Sequence, residues 1–464
     1  MTKTRVNVPT TRLGSSFRDP SGHVIADKGI LKRTISASYI PIYRKAEGSG
    51  LYDRLMKDAL LIPHRELPRN NRKNNLVIQP DVIPFISYPY EWCFGELHDA
   101  ALTTLNIQKT ALAYGFSLKD ASAYNIQFYN GKPILIDTLS FEPYVAGSPW
   151  IAYRQFCMHF LMPLLLMSRK SADFNKLFIT HLDGIPLSLG SSLLPKTTLL
   201  NPSLLAHIHL HAMMEQKLAG NTARHGNNTL SKDAFVTLLN NLESTIRHLK
   251  LRDSQSQWSS YEETHSYGVG GMREKKKIVT TLLRKIHAES ALDIGANTGA
   301  FTALCIAGGI NTIAVDNDHG CIEKLYAANK RNNVTNCLPL CIDITNPSPS
   351  IGWENNERSS FLDRTDVDLV LALALIHHIA IGNNVPFDYI ARLMSRLGRY
   401  LIIEFVPKTD IMVRQMLANR VDVFTNYTKK LFEREFSVYF RVLGTFPVLN
   451  TGRVIYLMER KRGV

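Results

Sequence analysis

Residues 291–302, ALDIGANTGAFT, decide the fold of the second half of the chain. The apolar residues around Asp293 are typical of a buried strand, and Gly295 and Gly299 allow the backbone to turn and to approach a ligand closely. A helix is predicted to open at residues 298–301. Because the spacing is Asp-x-Gly-x-x-x-Gly, this turn differs from the phosphate-binding G-x-G-x-x-G of dinucleotide domains.

Further apolar runs follow, and polar side chains stand where several of them end. Residues 311–315 precede Asp316, residues 337–342 precede Asp343, and the run that begins at Asp368 leads to His377 and His378. Since ligands of open α/β sheets lie at the carboxyl ends of the strands, we expect these side chains at one site. Residues 400–405 predict a fifth strand, and residues 436–443 and 453–458 predict a closing antiparallel pair.

This ordered set resembles the cofactor site of class I S-adenosylmethionine-dependent methyltransferases over residues 261–460. The resemblance implies a Rossmann-like, seven-stranded α/β sheet in residues 258–464 and S-adenosylmethionine as the cofactor. It places the cofactor ammonium at Asp293, the ribose hydroxyls at Asp316 and the adenine amino group at Asp343. The expected cofactor-binding residues are Asp293, Gly295, Asn297, Gly299, Asp316 and Asp343.

A sulfonium already activates its methyl group, so the protein mainly has to align the acceptor and exclude water. A base is needed only for a hydroxyl or a neutral nitrogen that carries a proton. The candidates for the base are His377, His378 and Glu404, although the histidine pair also fits a packing and capping role. The aromatic and Gly-rich segment 258–272 predicts either a flap over the cofactor or a segment that packs the next helix onto the sheet. Tyr261, His265 and Tyr267 are candidates for contact with the cofactor or with the acceptor. Residues 346–353 predict a loop near the adenine or the acceptor.

The first half of the chain carries a second pattern in residues 118–142, LKDASAYNIQFYNGKPILIDTLSFE. Asp120 is followed by Asn125, an apolar strand, an Asn-Gly turn and a returning strand that leads to Asp137. This pattern resembles the catalytic segment of the protein-kinase-like fold, in which an Asp activates a hydroxyl and an Asn and a second Asp hold metal. The resemblance implies an α+β kinase-like domain in residues 1–220, with ATP and Mg²⁺ as ligands if the site is active.

The departures from the kinase pattern are visible as well. No Gly-rich loop precedes the segment, and Thr138 follows Asp137 where protein kinases have Phe. The basic residue that would bind the nucleotide is not identified by the pattern, and Lys28, Lys32 and Arg33 are the candidates. A plain hairpin with an Asn-Gly turn explains the strands but not the three polar residues together. Residues 221–257 predict a polar linker and a helix between the two domains.

Composition and charge bound the function. The chain has 464 residues and a formal net charge of +14, and residues 1–75 are rich in Lys and Arg. This basic segment fits either an arm that binds phosphates or a surface that keeps the protein soluble. No apolar run reaches membrane-spanning length and no secretory signal is visible, so we expect a cytoplasmic protein. The six cysteines show no C-x-x-C pair, and no metal site is expected. Lys275 to Lys277 predict a solvated helix face.

The sequence therefore predicts methyl transfer from S-adenosylmethionine to an unidentified acceptor. The chain looks like bacterial nodulation-type methyltransferases with an amino-terminal kinase-like domain, which favours a hydroxyl of a saccharide or of a lipid-linked glycan. The basic amino terminus favours the alternative of a tRNA or rRNA methyltransferase. A bifunctional kinase/methyltransferase and a non-catalytic, cofactor-sensing scaffold are also compatible with the sequence.

Overall fold

The computed structural model describes residues 11–68, 76–218, 229–251, 268–418 and 421–463. Two compact units share the chain. The amino-terminal unit comprises Met1–Arg252 together with Ser350–Ser359, and the carboxyl-terminal unit comprises Asp253–Pro349 together with Ser360–Val464. The chain therefore leaves the first unit, returns to it for one short segment and leaves it again.

An antiparallel five-stranded sheet in the order β1-β2-β3-β5-β4 belongs to the amino-terminal unit. Its strands are β1 (Thr11–Arg12), β2 (Gly22–Asp27), β3 (Ile30–Ile35), β4 (His64–Glu66) and β5 (Leu76–Pro80). Lys28 and Gly29 join β2 to β3 with φ angles of 52° and 78°. Two left-handed residues match the twist of a hairpin, so this turn sets the register between the two strands.

Two short antiparallel pairs carry the second sequence pattern. They are β6 (Phe116–Leu118) with β9 (Phe141–Pro143), and β7 (Ile126–Tyr129) with β8 (Lys132–Leu135). The predicted Asn-Gly turn is confirmed, because Asn130 and Gly131 have φ angles of 51° and 73° and join β7 to β8. Asp120 precedes this hairpin and Asp137 follows it.

Helices make up much of the remainder of the amino-terminal unit. They are α1 (Ile40–Gly48), α2 (Leu51–Lys57), α3 (Phe94–Ala113), α4 (Tyr153–Phe156), α5 (Met162–Arg169), α6 (Leu187–Leu193), α7 (Pro202–Leu204), α8 (His211–Leu218) and α9 (Lys232–Arg247). Helix α9 lies in the predicted linker region and packs on α3. Its buried residues, among them Phe235, Leu239 and Ile246, recur at helical spacing, so burial of this stripe holds it on the unit.

A seven-stranded sheet in the order β12-β11-β10-β13-β14-β16-β15 confirms the predicted Rossmann-like architecture of the carboxyl-terminal unit. Its strands are β10 (Ser290–Ile294), β11 (Asn311–Asp316), β12 (Cys337–Cys341), β13 (Val367–Ala372), β14 (Gly398–Phe405), β15 (Phe440–Pro447) and β16 (Val454–Arg460). The first five in the sheet order are parallel, and β16 and β15 close the sheet as an antiparallel pair.

The helices of this unit cover the sheet. They are α10 (Gly268–Lys285), α11 (Thr302–Ala307), α12 (His319–Arg331), α13 (Phe361–Arg364), α14 (Phe387–Leu397), α15 (Ile411–Leu417) and α16 (Lys429–Tyr439). Val279 and Leu282 of α10 join Leu369 and Ile402 of the sheet in one buried cluster. Such burial of apolar side chains is the main contribution that holds helix on sheet.

Two predicted boundaries are wrong. The helix after the glycine turn begins at Thr302, and the predicted strand at residues 436–443 starts as the last turn of α16. Phe432 and Phe436 are fully buried and four residues apart, which places them on one face of α16.

Candidate active site

The turn after β10 is built from residues in the left-handed region of φ. Gly295, Asn297 and Gly299 have φ angles of 74°, 50° and 92°. A Cβ atom on Gly299 would lie 2.5 Å from Cδ1 of Leu325, so this position also lacks room for a side chain. Asn is one of the few other residues that tolerate this conformation, which accounts for Asn297 in the middle of the turn.

Asp316, the last residue of β11, closes this turn. Its Oδ2 accepts the N–H of Asn297 at 2.9 Å, and its Oδ1 accepts the N–H of Asp318 at 2.9 Å. Burial raises the pKa of Asp316, and these two backbone donors oppose the rise. The structure thus joins two of the predicted cofactor residues by a direct hydrogen bond.

A cavity of about 310 Å³ opens at the carboxyl edge of the parallel strands. Its wall combines residues that follow β10, β11, β12 and β13, namely Ile294, Gly295, Asn297, Asp316, Asn317, Ile342, Asp343, Ile344, Thr345, Leu373, Ala374, Leu375, His378, Ile379, Gly382 and Asn383. Asp343 Oδ1 accepts hydrogen bonds from both the N–H and the Oγ1 of Thr345, at 2.8 and 2.6 Å. Five of the predicted site residues therefore meet in one cavity: Gly295, Asn297, Asp316, Asp343 and His378.

Asp293 and Gly299 lie outside the wall of this cavity. The Asp293 carboxyl is buried and accepts a hydrogen bond from Thr302 Oγ1 at 2.6 Å. Burial raises the pKa of Asp293 to about 6, and the charge of Asp316 adds to the rise. Asp293 therefore gains or loses its proton at a mildly acidic pH, well above the usual range of an aspartate.

The two adjacent histidines have different environments. His378 lines the cavity and starts a π-helical turn, His378–Gly382, which also lies against it. His377 is fully buried, and neither of its ring nitrogens has a hydrogen-bond partner. Burial lowers the pKa of both imidazoles, and the positive charge of Arg453 lowers both further. Of the pair, His378 is the imidazole that a ligand in the cavity can reach.

Glu404, the third candidate base, is fully buried in β14 and does not line the cavity. Its Oε2 accepts the N–H of Ala374 at 2.8 Å and the ammonium of Lys275 at 2.7 Å. Arg453 is buried beside Glu404, and its Nη1 lies 3.8 Å from Glu404 Oε1. The same guanidinium donates hydrogen bonds to the Asp410 carboxylate from Nε at 2.7 Å and from Nη2 at 3.0 Å. A carboxylate held in this way has its acceptor capacity directed at the protein rather than at the cavity.

The prediction of a solvated face at Lys275 to Lys277 is wrong for Lys275. Its side chain is 2% exposed and its Nζ lies 4.7 Å from the centre of the Phe301 ring. Lys275 stands four residues before Val279 on the buried stripe of α10, and this spacing was the available signal. Nothing in the sequence indicated its partner Glu404, which is more than a hundred positions away. Tyr261, His265 and Tyr267 lie outside the described residues.

In the amino-terminal unit, the structure brings Asp120 and Asp137 close together. Asp120 Oδ1 accepts hydrogen bonds from Ser122 N and Gln155 Nε2, each at 2.9 Å, and burial together with the charge of Asp137 raises the pKa of Asp120. The backbone oxygen of Asn125 accepts the N–H of Ile136 at 2.9 Å, which places Asn125 beside the same cluster.

Arg33 of β3 neutralises this cluster. Its Nη2 lies 2.7 Å from Asp137 Oδ1 and 2.6 Å from Asp19 Oδ2. Of the three basic residues proposed for the nucleotide, Lys28 sits in the β2–β3 turn and Lys32 pairs with Asp27, so only Arg33 is placed on Asp137.

The segment Ser350–Ser359 packs within the amino-terminal unit. Ile351 belongs to a buried cluster with Tyr88, Tyr90 and Tyr124. The N–H of Ser359 donates to Tyr88 Oη at 3.1 Å. Within the predicted loop at residues 346–353, Ile351 therefore packs against aromatic residues from the first half of the chain, whereas Trp353 is exposed.

Within the described ranges, no group of three or more His, Cys, Asp or Glu residues is arranged to hold a metal ion, and no helix is long and apolar enough to cross a membrane. The six cysteines are all buried.

The sheet order and the polar residues at its carboxyl edge are those of the class I S-adenosylmethionine-dependent methyltransferase fold. No family model matches the sequence. The nodulation protein NoeA of Rhizobium meliloti (strain 1021) is 34% identical over 460 residues, which cover 97% of this chain and 96% of that relative. The chain belongs to the family of this nodulation protein, and the predicted relation to nodulation-type proteins is confirmed.

Three solved structures with a similar fold are methyltransferases by name. Magnesium protoporphyrin IX methyltransferase from Synechocystis PCC 6803, with bound S-adenosylmethionine, is 13% identical and has a TM-score of 0.30 over 45% of this chain and 87% of that chain. The N-methyltransferase NodS from Bradyrhizobium japonicum WM9 is 11% identical, with a TM-score of 0.31 over 42% and 99%. The bifunctional kinase-methyltransferase WbdD is 17% identical, with a TM-score of 0.29 over 43% and 42%. At such TM-scores these likenesses carry no argument about mechanism.

Proposed function

We propose that the cavity at the carboxyl edge of the sheet binds S-adenosylmethionine and that the chain transfers its methyl group to a hydroxyl acceptor. The observation that carries this proposal is the cavity itself, in which the acids after two neighbouring strands, Asp316 and Asp343, line one wall. Carboxylates suit the ribose hydroxyls, the adenine amino group and the positive charge of the cofactor.

His378 is the base in this proposal. It lines the cavity, and its lowered pKa keeps the imidazole neutral and able to accept a proton at neutral pH. His377 and Glu404 are assigned other roles, because both are fully buried and neither lines the cavity.

The proposed acceptor is a hydroxyl of a saccharide or of a lipid-linked glycan. This acceptor class rests on the resemblance to nodulation-type methyltransferases, and the identity to a nodulation protein supports that resemblance. The alternative, methylation of tRNA or rRNA, rests on the net charge of +14. An RNA acceptor would give binding that weakens steeply with salt, whereas a neutral saccharide would not. The cytoplasmic location stays a prediction.

The decisive experiment identifies the product. Extracts of a producing bacterium are incubated with the protein and isotopically labelled S-adenosylmethionine, and labelled species are analysed by mass spectrometry. We expect a labelled saccharide with the parent protein, and little label with His378→Gln. His248→Gln, at an exposed histidine, is the matched control and should behave like the parent. Labelled nucleosides would show that the acceptor is RNA instead of a saccharide. No labelled product at all would favour the hypothesis of a non-catalytic, cofactor-sensing scaffold.

The amino-terminal unit is proposed to be kinase-like. The strand order β1-β2-β3-β5-β4, with α1 and α2 between β3 and β4, supports this assignment, as do the β6–β9 and β7–β8 pairs that flank Asp120 and Asp137. ATP and Mg²⁺ are the ligands that the assignment implies. Because Asp137 is already paired with Arg33, a metal would have to displace the guanidinium from that carboxylate.

Calorimetric titration with Mg²⁺ and ATP tests this second function. If the kinase-like site is active, we expect ATP binding that requires Mg²⁺ and that is lost in Asp137→Ala. If neither the parent nor Arg33→Met binds ATP, the bifunctional kinase/methyltransferase is excluded and the unit is left with a role in binding the acceptor.

A further inference from the structure

We propose that Glu404 is a positioning residue of the methyl-transfer site, because its buried carboxylate fixes the left-handed turn at Ala374 that forms one wall of the cavity. The inference rests on the proposed cofactor site. It gives Glu404 a role through the backbone of another element instead of a role as a base.

The turn at Ala374 is strained. Ala374 follows β13 and has a φ angle of 53°, a region that alanine rarely adopts. A residue other than glycine is less stable there by about 1 kcal/mol, so it persists only where neighbouring groups hold it. Leu373, Ala374 and Leu375 all line the cavity, so the strain is located in the cavity wall.

Glu404 is the group that holds this turn. Its Oε2 accepts the N–H of Ala374 at 2.8 Å from the neighbouring strand β14. A buried N–H without an acceptor would cost about 1–3 kcal/mol, which is enough to shift the turn. The hydrogen bond thus stabilises the strained conformation at the place where it faces the cavity.

Lys275 makes this arrangement possible. A carboxylate as buried as Glu404 needs a counter-ion, and the Lys275 ammonium lies 2.7 Å from the same Oε2 atom. One oxygen therefore joins α10, β14 and the turn after β13. A shift of any one of them changes the geometry of the other two.

The effect reaches ligand-facing atoms on both sides of the turn. Cδ1 of Leu375 lies 3.2 Å from the position of a Cβ on Gly295, so Leu375 packs closely on the glycine turn. The carbonyl of Leu375 accepts the N–H of His378 at 2.9 Å. Glu404 thereby sets the position of the proposed base and of the surface under the cofactor without touching either.

The test compares two double variants that differ only in an acceptor for Ala374. Lys275→Met with Glu404→Gln removes both charges but keeps an oxygen for the Ala374 N–H, whereas Lys275→Met with Glu404→Leu removes the oxygen as well. By calorimetry we expect the first to bind S-adenosylmethionine within about three-fold of the parent and the second at least about ten-fold more weakly. Ala374→Gly added to the second variant should restore affinity, because glycine adopts this φ without support.

Equal affinity of the two double variants, or no rescue by Ala374→Gly, would overturn the inference. If thermal melting shows that the Leu variant is unfolded, Glu404→Asp replaces it in the comparison of cofactor affinities. Asp keeps the charge but has one methylene fewer, so its carboxylate is withdrawn from the Ala374 N–H. Failure of the parent protein itself to bind S-adenosylmethionine would instead refute the proposed function, so the two failures are distinguishable.

Discussion

Asp316 is the last residue of β11 in the carboxyl-terminal unit and Asp137 lies two residues after β8 in the amino-terminal unit, yet their carboxylates have different partners. Asp316 accepts two backbone N–H groups and lines a cavity. Asp137 accepts the N–H of Leu139 and the hydroxyl of Ser140, and it is paired with the Arg33 guanidinium.

The difference shows what a carboxylate needs in order to bind a ligand. Backbone donors orient Asp316 and leave its charge to be balanced by what enters the cavity, and S-adenosylmethionine is a cation. A guanidinium supplies a full positive charge and several donors, so Asp137 is already neutralised by the protein. Both carboxylates lie at or just after the end of a strand, but only Asp137 has a positively charged side chain of the protein as its partner.

Removal of the guanidinium is expected to give the largest effect. Arg33→Met leaves Asp19 and Asp137 without their common counter-ion, which should lower the free energy of unfolding by about 3 kcal/mol. Mg²⁺ should then raise the melting temperature of the variant much more than that of the parent. Lys32→Met removes a charge next to it in sequence and is the control. Equal responses to Mg²⁺ would mean that Arg33 does not compete for a metal position.

On the other side of the comparison, Asp316→Ala should weaken S-adenosylmethionine binding by about a hundred-fold in calorimetry, because two charge-assisted hydrogen bonds to the ribose are lost. Asp366→Ala, at an exposed acid of the same unit, has the same change in charge and should leave the affinity unaltered. An unchanged affinity in Asp316→Ala would move the cofactor out of this cavity.

The glycine turn that orients Asp316 provides a third test, on stability. Gly299→Ala combines a strained φ with a contact at 2.5 Å from Leu325, and should lower the free energy of unfolding by about 2 kcal/mol. Gly309→Ala has a similar φ of 76° and open space around it, so only about 1 kcal/mol of strain is expected. Thermal or denaturant unfolding that gives equal losses would show that Leu325 moves aside freely.

The smallest expected effect is a pH dependence of cofactor binding. Asp293 lies outside the cavity wall and accepts a hydrogen bond from Thr302, and below its pKa of about 6 it is protonated and adds no negative charge beside the cavity proposed for the cationic cofactor. Affinity should therefore rise by about ten-fold from pH 5 to pH 7 and then level off. The sign for folding is opposite, because a raised carboxyl pKa makes the folded state less stable as pH increases through this range. Calorimetry across pH with Asp293→Asn should show a flat profile; a slope retained in this variant would assign the titration to another group.

Much of the carboxyl-terminal unit could be predicted because its signals are local. Apolar runs, glycines and acids after strands follow directly from neighbouring residues, and apart from the start of the strand predicted at residues 436–443 the predicted strands agree with the structure. The Asn-Gly turn of the amino-terminal unit is a local signal of the same kind. The partners of Glu404 could not be predicted, since Lys275, Ala374 and Arg453 come from distant elements that only the sheet order brings together. For the same reason, the placement of Ile351 among tyrosines from the first half of the chain had no sequence signal.

The segment Ser350–Ser359 has a consequence for the order of events during synthesis. Domains usually fold as they emerge from the ribosome, with the amino-terminal one first. Here the core around Tyr88 and Tyr124 lacks Ile351 until about a hundred further residues have been translated, which takes roughly 5–20 s at ordinary rates. During that interval the tyrosines of this cluster lack one of their buried neighbours, and the amino-terminal unit is complete only after β10, β11 and β12 of the seven-stranded sheet have been synthesised.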